Sequence, residues 1–134
     1  MAKLKVEIVT PERRLAQIEA DEVVAPGAEG LFGVRPGHTP YLALLQPGPL
    51  TIKEGARSSV YFVAGGFAEA GPTLVRVLAE GAELSSEIDV AATKTRLQDA
   101  ENKLKTFESG DPRAEEQKFV IRREQARLSV AALR

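Results

Sequence analysis

The chain of 134 residues has no cysteine, one histidine and a formal net charge of −1 at pH 7. This length suffices for one domain with a core or for a small domain plus an appendage, and an apolar content of 43% and a charged content of 28% are ordinary for a globular protein. These features exclude disulfide and thiolate chemistry, and they argue against strong electrostatic attraction to nucleic acid or an anionic membrane.

Glycine and proline divide the chain into two parts. Ten of the eleven glycines and seven of the eight prolines lie before residue 82. Such residues at short intervals favour short strands, and their absence favours long helices. We therefore predict one domain over residues 1–84 and a second, helical domain over residues 85–134.

The first part reads as a series of short strands. Leu4, Val6 and Ile8 alternate with charged residues, as one half-buried strand requires. Turns rather than helices separate the runs, which predicts an antiparallel β-sandwich or flattened barrel. Gly65-Gly66 predicts a bulge or a sharp corner. The other predicted strands cover residues 15–18, 22–25, 41–45, 50–53, 57–63, 67–70 and 73–79.

The second part reads as an antiparallel α-helical hairpin. Ser86 as N-cap, with Asp89 three residues later, predicts a helix that runs to about Phe107. Asp111 as N-cap and Pro112 at the first helical position predict a second helix to the C-terminus. The apolar residues of each helix fall on two faces and include many alanines. We therefore expect a weakly held hairpin that also contacts the β domain or another protein.

The second helix is basic, with six basic and three acidic side chains in residues 113–134. Arg123, Arg127 and Arg134 fall on one side of a helical wheel and Arg122 on another. One interpretation is a solvated face that complements the helix dipole. The other is a basic ridge that docks onto an acidic partner.

Catalytic constellations are missing from the sequence. No Gly-Lys dipeptide exists for a phosphate-binding loop, and one histidine without cysteine leaves few transition-metal ligands. We expect His38 to fix its turn by a local hydrogen bond rather than to act as a base. Seven aromatic residues, none of them tryptophan, do not predict a nucleic-acid module. An enzyme is therefore the poorer interpretation.

Residues 29–40 read Glu-Gly-Leu-Phe-Gly-Val-Arg-Pro-Gly-His-Thr-Pro, a run in which glycine and proline predict sharp, well-defined turns. The run resembles the Glu-Gly-x-x-Gly-x-x-Pro-Gly-His-x-Pro signature of the ε subunit of F-type ATP synthases. Further similarities follow in the family's order: Val-Thr-Pro-Glu at 9–12, Gly-Gly-Phe-Ala-Glu at 65–69, Ile-Asp at 88–89 and Arg-Leu-Ser-Val-Ala at 127–131.

The resemblance implies a non-catalytic central-stalk (rotor) subunit of a proton-translocating ATP synthase. Its partners would be the γ subunit, the ring of c subunits and the α and β subunits of the catalytic head. In that family the hairpin lies on the sandwich or extends along γ and inhibits ATP hydrolysis. The implied location is peripheral, on the cytoplasmic face of a bacterial inner membrane or the stromal face of a thylakoid. Because no window approaches a membrane span, membrane contact is expected only through the complex.

The family's functional residues can be transferred to three positions of the signature. Glu29, Gly30 and Leu31 are expected to contact the c ring. Many members have an acid where this chain has Leu31, so one polar contact is replaced by an apolar one.

The helices carry the remaining expected contacts. Arg122, Arg123 and Arg127 are expected to pair with an acidic segment of a catalytic-head β subunit. Members that bind ATP have Ile/Leu-Asp-x-x-Arg-Ala in the first helix, and here Ala92 stands at the arginine position. The resemblance assigns Asp89, Arg123 and Arg127 to nucleotide, and the missing arginine predicts weak or absent ATP binding and no cofactor. The alternative function is a free-standing β-sandwich adaptor or ligand-binding domain with a helical tail.

Overall fold

The computed structural model describes residues 2–133, which form ten strands followed by two helices. The helices are α1 (Val90–Leu104) and α2 (Pro112–Ala131), and a 3₁₀ turn (Ser85–Glu87) precedes α1. The strands are β1 (Leu4–Val9), β2 (Arg14–Ala20), β3 (Glu22–Gly27), β4 (Gly30–Val34), β5 (Tyr41–Leu45), β6 (Gly48–Glu54), β7 (Arg57–Val63), β8 (Gly66–Ala70), β9 (Leu74–Ala79) and β10 (Ala82–Leu84).

The strands form one sheet that folds over into two layers. Their order is β10-β7-β6-β3-β5-β8-β9-β1-β2, and β4 pairs with β3 outside this path. The layers join where β3 meets β5 through one residue pair, Gly27 and Leu45. Neighbouring strands are antiparallel except β1 and β9, which are parallel because a long excursion of chain separates them. The predicted sandwich and the predicted helical hairpin are both confirmed.

The core lies between the layers and follows the alternation of β1. Leu4, Val6 and Ile8 have no exposed surface, in agreement with the sequence pattern. Burying each such side chain contributes about 1.5–3 kcal/mol. Glu7 points to the opposite face and is nevertheless buried, because Arg76 on β9 approaches it with Nε 3.1 Å from Oε2. The hydrogen bond from Arg76 lowers the pKa of Glu7 below the ordinary value of a glutamate.

Strand β7 is covered on both faces. Tyr61 and Val63 belong to the core between the layers. Phe62, between them, belongs to a second apolar cluster with Ile88, Val130 and Ala131. Helix α2 packs on β6 and β7, while α1 packs chiefly along α2. The hairpin therefore covers the outer face of the sandwich at β7.

The predicted start of the first helix is wrong. Ser86 lies in the 3₁₀ turn, and Asp89 rather than Ser86 is the N-cap of α1, with its carboxylate accepting a hydrogen bond from the Ala92 amide at 3.0 Å. The reason is tertiary: Ile88 keeps an extended backbone that buries its side chain against Phe62. The helix can begin only after this contact is made.

The other helix ends are closer to prediction. Helix α1 ends at Leu104, three residues before the expected Phe107. Asp111 is the N-cap of α2, as predicted, and accepts a hydrogen bond from the Arg113 amide at 2.9 Å with Pro112 in the first turn. Neither helix is long and apolar enough to cross a membrane within the described residues.

Two strands escaped prediction, one because glycines interrupt it and the other because it is short. Strand β4 lies within the signature run, and β10 has only three residues. Pro26, expected to end β3, lies inside it, since its carbonyl still accepts a hydrogen bond from the Gln46 amide at 3.0 Å and no donor is needed there.

The corner predicted at Gly65-Gly66 is confirmed, since it takes the chain from β7 in one layer to β8 in the other. Both glycines have positive φ, +106° and +130°. A Cβ at Gly66 would lie 2.1 Å from the carbonyl oxygen of Leu78, a distance that no side chain accommodates. Glycine is therefore required at Gly66 by conformation and by space.

We expect Gly66→Ala to lower the free energy of unfolding by about 3 kcal/mol, from backbone strain and the clash with β9. Gly33→Ala is the matched control, because Gly33 has no positive φ and its nearest neighbour would be a flexible Glu22 carboxylate at 3.4 Å. Urea denaturation followed by circular dichroism measures both changes. Equal stabilities of the two variants would contradict the assignment.

Candidate functional site

The signature run forms the tip of a β-hairpin at one end of the sandwich. Strands β3 and β4 are joined by a turn at Ala28 and Glu29, and Gly30 follows with φ of +132°. The tip is fixed to β5, because the Ala28 amide donates to the Leu44 carbonyl at 2.9 Å and the Gln46 side chain donates to the Gly27 carbonyl at 3.0 Å. The turn is therefore held in place rather than free.

The rest of the signature supports this tip. Gly37, with φ of +88°, donates its amide to the Pro72 carbonyl at 2.8 Å, which ties the second turn to the β8–β9 connection. His38 Nδ1 lies within hydrogen-bonding distance of the adjacent Thr39 carbonyl, the local contact expected of it. Phe32 packs edge-on against Tyr41 with ring centroids 5.4 Å apart. Gly30 and Gly37 thus have structural roles in the two turns of the run.

An exposed apolar face extends from this tip across three strands. Leu44 on β5, Phe67 on β8 and Leu78 on β9 lie side by side in the register of the sheet. Leu42 lies two residues before Leu44 on the same face, and Leu31 protrudes from the tip. These five residues, which we call the apolar face, have exposed fractions between 40% and 66%. Contiguous exposed side chains of this kind mark an interaction surface.

Sequence reasoning placed Glu29, Gly30 and Leu31 together, and all three lie at the exposed tip. The rest of the apolar face was not recognised. Its signal was nevertheless present, because Leu42 and Leu44 in the run Tyr-Leu-Ala-Leu-Leu would face solvent if Ala43 and Leu45 face the core. A strand that is apolar on both faces requires a cover for each.

A second arrangement of functional interest surrounds Glu124, whose side chain has no exposed surface. Arg96 of α1 donates from Nε to Glu124 Oε1 at 2.6 Å, and Arg123 donates from Nε to Oε2 at 2.8 Å. Arg127 donates from Nη2 to the same Oε2 at 3.3 Å. Arg127 also donates to Glu83 of β10. We call these five residues the arginine–glutamate cluster.

Arg127 connects this cluster to the sandwich. Its guanidinium carbon lies 4.5 Å from the ring centroid of Phe62, so the cation stacks on the residue at the centre of the second apolar cluster. Nη1 of Arg127 donates to Glu83 of β10. Glu124, which Arg127 also contacts, accepts a further hydrogen bond from Arg96 of α1. One connected set of charges therefore spans α1, α2 and the sandwich.

The electrostatics of Glu124 are set by two opposing effects. Burial by itself raises the pKa of a carboxyl group, because it disfavours the charged form. Hydrogen bonds from Arg123 and Arg96, with the charge of Arg127, outweigh burial and bring the pKa below the ordinary glutamate value. Glu124 is therefore ionised at neutral pH and serves as the common acceptor for three guanidinium groups.

The structure separates the residues predicted to act together on the helices. Arg123 and Arg127 meet at Glu124, whereas Arg122 is exposed and lies with its guanidinium carbon 5.9 Å from the Phe119 ring centroid. Asp89 does not share a contact with these arginines; its carboxylate caps α1. Arg122, Arg123 and Arg127 thus do not form one exposed ridge in this conformation, and Arg134, predicted on the same side as Arg123 and Arg127, lies outside the described residues.

Glu124, Arg96 and Glu83 were not singled out by sequence reasoning. A signal existed for the first of these, because Glu124 falls between Ile121 and Leu128 on one helical stripe and interrupts it with an acid. Arg96 occupies the corresponding stripe of α1, between Thr93 and Ala100. No group of three or more histidine, aspartate or glutamate side chains suited to a metal ion occurs in residues 2–133.

Comparison with known proteins adds independent information. Residues 3–85 match the family model described as the ATP synthase, Delta/Epsilon chain, beta-sandwich domain. The ATP synthase epsilon chain of Myxococcus xanthus (strain DK1622) is 51% identical over 131 residues, which cover 98% of this chain and 96% of that protein. The ATP synthase epsilon chain of Moorella thermoacetica is 42% identical over 132 residues, with 98% of each chain covered.

Solved structures show the same fold at lower identity. A chain of the Euglena gracilis mitochondrial ATP synthase superposes with a TM-score of 0.82 at 22% identity, covering 100% of this chain and 83% of that one. A chain of the Tetrahymena thermophila mitochondrial ATP synthase gives a TM-score of 0.60 at 19% identity, covering 94% and 96%. The match of the sandwich domain and the near full-length relatives agree with the signature at the hairpin tip. The chain therefore belongs to the family of ATP synthase epsilon chains.

Proposed function

We propose that this chain is the non-catalytic central-stalk subunit that links γ to the c ring and restrains ATP hydrolysis through its hairpin. Residues 1–84 would be the anchoring domain and residues 85–134 the regulatory domain. The observation that carries the proposal is that the molecule has two separate surfaces suited to two different contacts. An exposed apolar face lies on the sandwich, and a helical hairpin is held on another face by a small apolar cluster and a set of charges.

The apolar face supports the anchoring role. The Euglena neighbour comes from an assembly that includes F1 and the c ring, and the Tetrahymena neighbour from a central stalk with a c ring. We propose γ as the occupant of the part of the apolar face formed by strands β5, β8 and β9, and the c ring as the contact of the tip at Glu29, Gly30 and Leu31. Leu31, 66% exposed, would make the tip contact partly apolar.

The basic residues of α2 support the regulatory role. Arg122, Arg123 and Arg127 remain our assignment for an acidic segment of a catalytic-head β subunit. Arg122 is exposed and available in the docked hairpin, whereas Arg123 and Arg127 are bound to Glu124. The hairpin would therefore have to rearrange before all three arginines meet an acidic surface together.

ATP is proposed to bind weakly or not at all, and no cofactor is assigned. Arg123 and Arg127, the positions expected to hold nucleotide, already donate to Glu124. Asp89 is used to cap α1. A nucleotide would have to displace these interactions without the arginine that Ala92 replaces. The absence of one charge-assisted hydrogen bond costs about 1.5–3 kcal/mol, a factor of ten or more in affinity.

The proposed location is peripheral, on the cytoplasmic face of a bacterial inner membrane, with the stromal face of a thylakoid as the alternative. Contact with the membrane would be indirect, through the ATP synthase complex. The competing function is a free-standing adaptor or ligand-binding domain with a helical tail. Recovery of a stoichiometric complex with γ would support the rotor subunit, and recovery of a lone monomer with a small ligand would support the competitor.

The apolar face makes the first functional prediction. Leu44→Asp should weaken binding to γ at least tenfold, because a charge would be buried at the centre of the interface. Ser58→Asp introduces the same charge at an exposed position of β7 and should leave the affinity unchanged. Titration of labelled γ measures both. Tight γ binding by Leu44→Asp would place γ on a different surface.

Deletion of residues 85–134 should raise ATP hydrolysis by the assembled enzyme, because the inhibitory element is gone. Binding to γ should persist, since the apolar face lies entirely on the sandwich. Steady-state ATPase assays on the reconstituted complex, with γ co-purification as the control for folding, measure the two effects. Unchanged hydrolysis in a complex that retains the shortened chain would eliminate the inhibitory role.

The charge of Glu124 gives the docked hairpin a defined pH dependence. Because its folded pKa is lowered, its stabilising contribution is complete above the unfolded pKa and disappears as pH falls through the folded pKa. At pH 7 we expect Glu124→Gln to lower the free energy of unfolding by about 3 kcal/mol. The difference from the unmodified chain should shrink as the pH falls below the ordinary pKa of a glutamate and Glu124 takes up a proton.

Denaturant unfolding of both proteins at a series of pH values measures this difference. Glu116→Gln, an exposed glutamate on the same helix, is the control and should follow the unmodified chain at every pH. A difference between Glu124→Gln and the unmodified chain that stays constant with pH would show that Glu124 is not stabilising as an anion.

A further inference from the structure

We infer that Glu124, together with Glu83, is an internal substitute for the acidic partner, so that the docked hairpin masks the arginines that it would otherwise present. This inference rests on the proposed function and specifies how that function is regulated. Arginine–carboxylate ion pairs then hold the hairpin closed, and ion pairs of the same kind bind it to the partner when it is open. Closing and partner binding compete for Arg127, the arginine of α2 that pairs with both Glu124 and Glu83 of the sandwich.

The position of Glu124 is the first support. Burying an ionised carboxylate costs free energy unless cations surround it. Glu124 has no exposed surface and is surrounded by three guanidinium groups. Helix packing alone does not call for an acid at this point, since an apolar residue would continue the stripe from Ile121 to Leu128. The acid is accounted for by the arginines that it binds.

The distribution of its partners is the second support. Arg96 belongs to α1, while Arg123 and Arg127 lie one turn apart on α2. Arg127 also reaches Glu83 and stacks on Phe62, both on the sandwich. Lifting the hairpin off the sandwich therefore separates Arg127 from Glu83 and Phe62. Separating the two helices breaks the ion pair of Glu124 with Arg96.

The balance of charge is the third support. The cluster contains three arginines and two glutamates, so it carries one positive charge in excess when the hairpin is docked. An acidic surface can take over the place of Glu83 and share the arginines of α2 with Glu124. The ion pairs that opening breaks are then replaced by ion pairs with the partner, which keeps the two states close in free energy. Arg122, exposed in the docked state, would attract the acidic surface before the exchange.

The test measures hairpin position in the full chain. The protein has no cysteine, so Ser58→Cys on β7 and Ser129→Cys on α2, both exposed, accept one spin label each. We expect one short label-to-label distance in the otherwise unmodified chain. Glu124→Gln should add a longer distance and raise the ratio of open to closed molecules about tenfold or more. Glu83→Gln should act in the same direction, because it removes the ion pair of Arg127 with the sandwich.

Glu116→Gln is the matched control and should leave the distance distribution unchanged. An unchanged distribution in both Glu124→Gln and Glu83→Gln would overturn the inference. If circular dichroism shows that Glu124→Gln is unfolded, Glu83→Gln decides alone: an added long distance supports the inference, and its absence overturns it.

The assembled enzyme separates this inference from the proposed function. Glu124→Gln should lower ATP hydrolysis several-fold relative to the unmodified complex, because unmasked arginines engage the acidic partner more often. If deletion of residues 85–134 raises hydrolysis but Glu124→Gln leaves it unchanged, the masking is wrong and the inhibitory role stands. If the deletion has no effect, the inhibitory role fails, and the label distances alone judge whether Glu124 closes the hairpin.

Discussion

The fold depends on the burial of β7 on both faces. Tyr61 and Val63 complete the core between the layers, and Phe62 between them faces outward, where Ile88 and helix α2 shield it from water. A sandwich alone would leave this aromatic ring exposed, and a hairpin alone would leave Val130 and Ala131 uncovered. The two parts of the chain are coupled because each covers a surface that the other cannot cover for itself.

The apolar contact between the hairpin and the sandwich is small in area, as a hairpin that has to open requires. The second apolar cluster has only four buried residues, and one of them is the small Ala131. The core of the sandwich is larger, because most of the strands contribute buried residues to it. Apolar burial scales with area, so the sandwich is the more stable part and the docked hairpin the more easily opened one. The predicted weak holding of the hairpin is compatible with this difference in area, and charge supplies the additional restraint.

Local sequence patterns predicted the features that depend on neighbouring residues. The alternation of Leu4, Val6 and Ile8, the corner at Gly65-Gly66 and the cap at Asp111 all follow from backbone preferences and side-chain direction. Features that depend on distant residues were missed. Strand β4 exists because β3 pairs with it, and α1 begins late because Ile88 is held against Phe62. The surroundings of Glu124 require knowledge of which residues of α1 and the sandwich face it.

A charged contact between hairpin and sandwich is suited to exchange in a way that an apolar one is not. Apolar surfaces uncovered by opening gain nothing from an acidic partner, so every square ångström exposed opposes the movement. The ion pair of Arg127 with Glu83 can instead be replaced by a pair with another carboxylate, and Arg127 then gives up only its stacking on Phe62. A contact with few large apolar residues and an exchangeable ion pair therefore favours opening when an acidic partner is present, while Glu83 and Phe62 fix the position of Arg127 in the closed state.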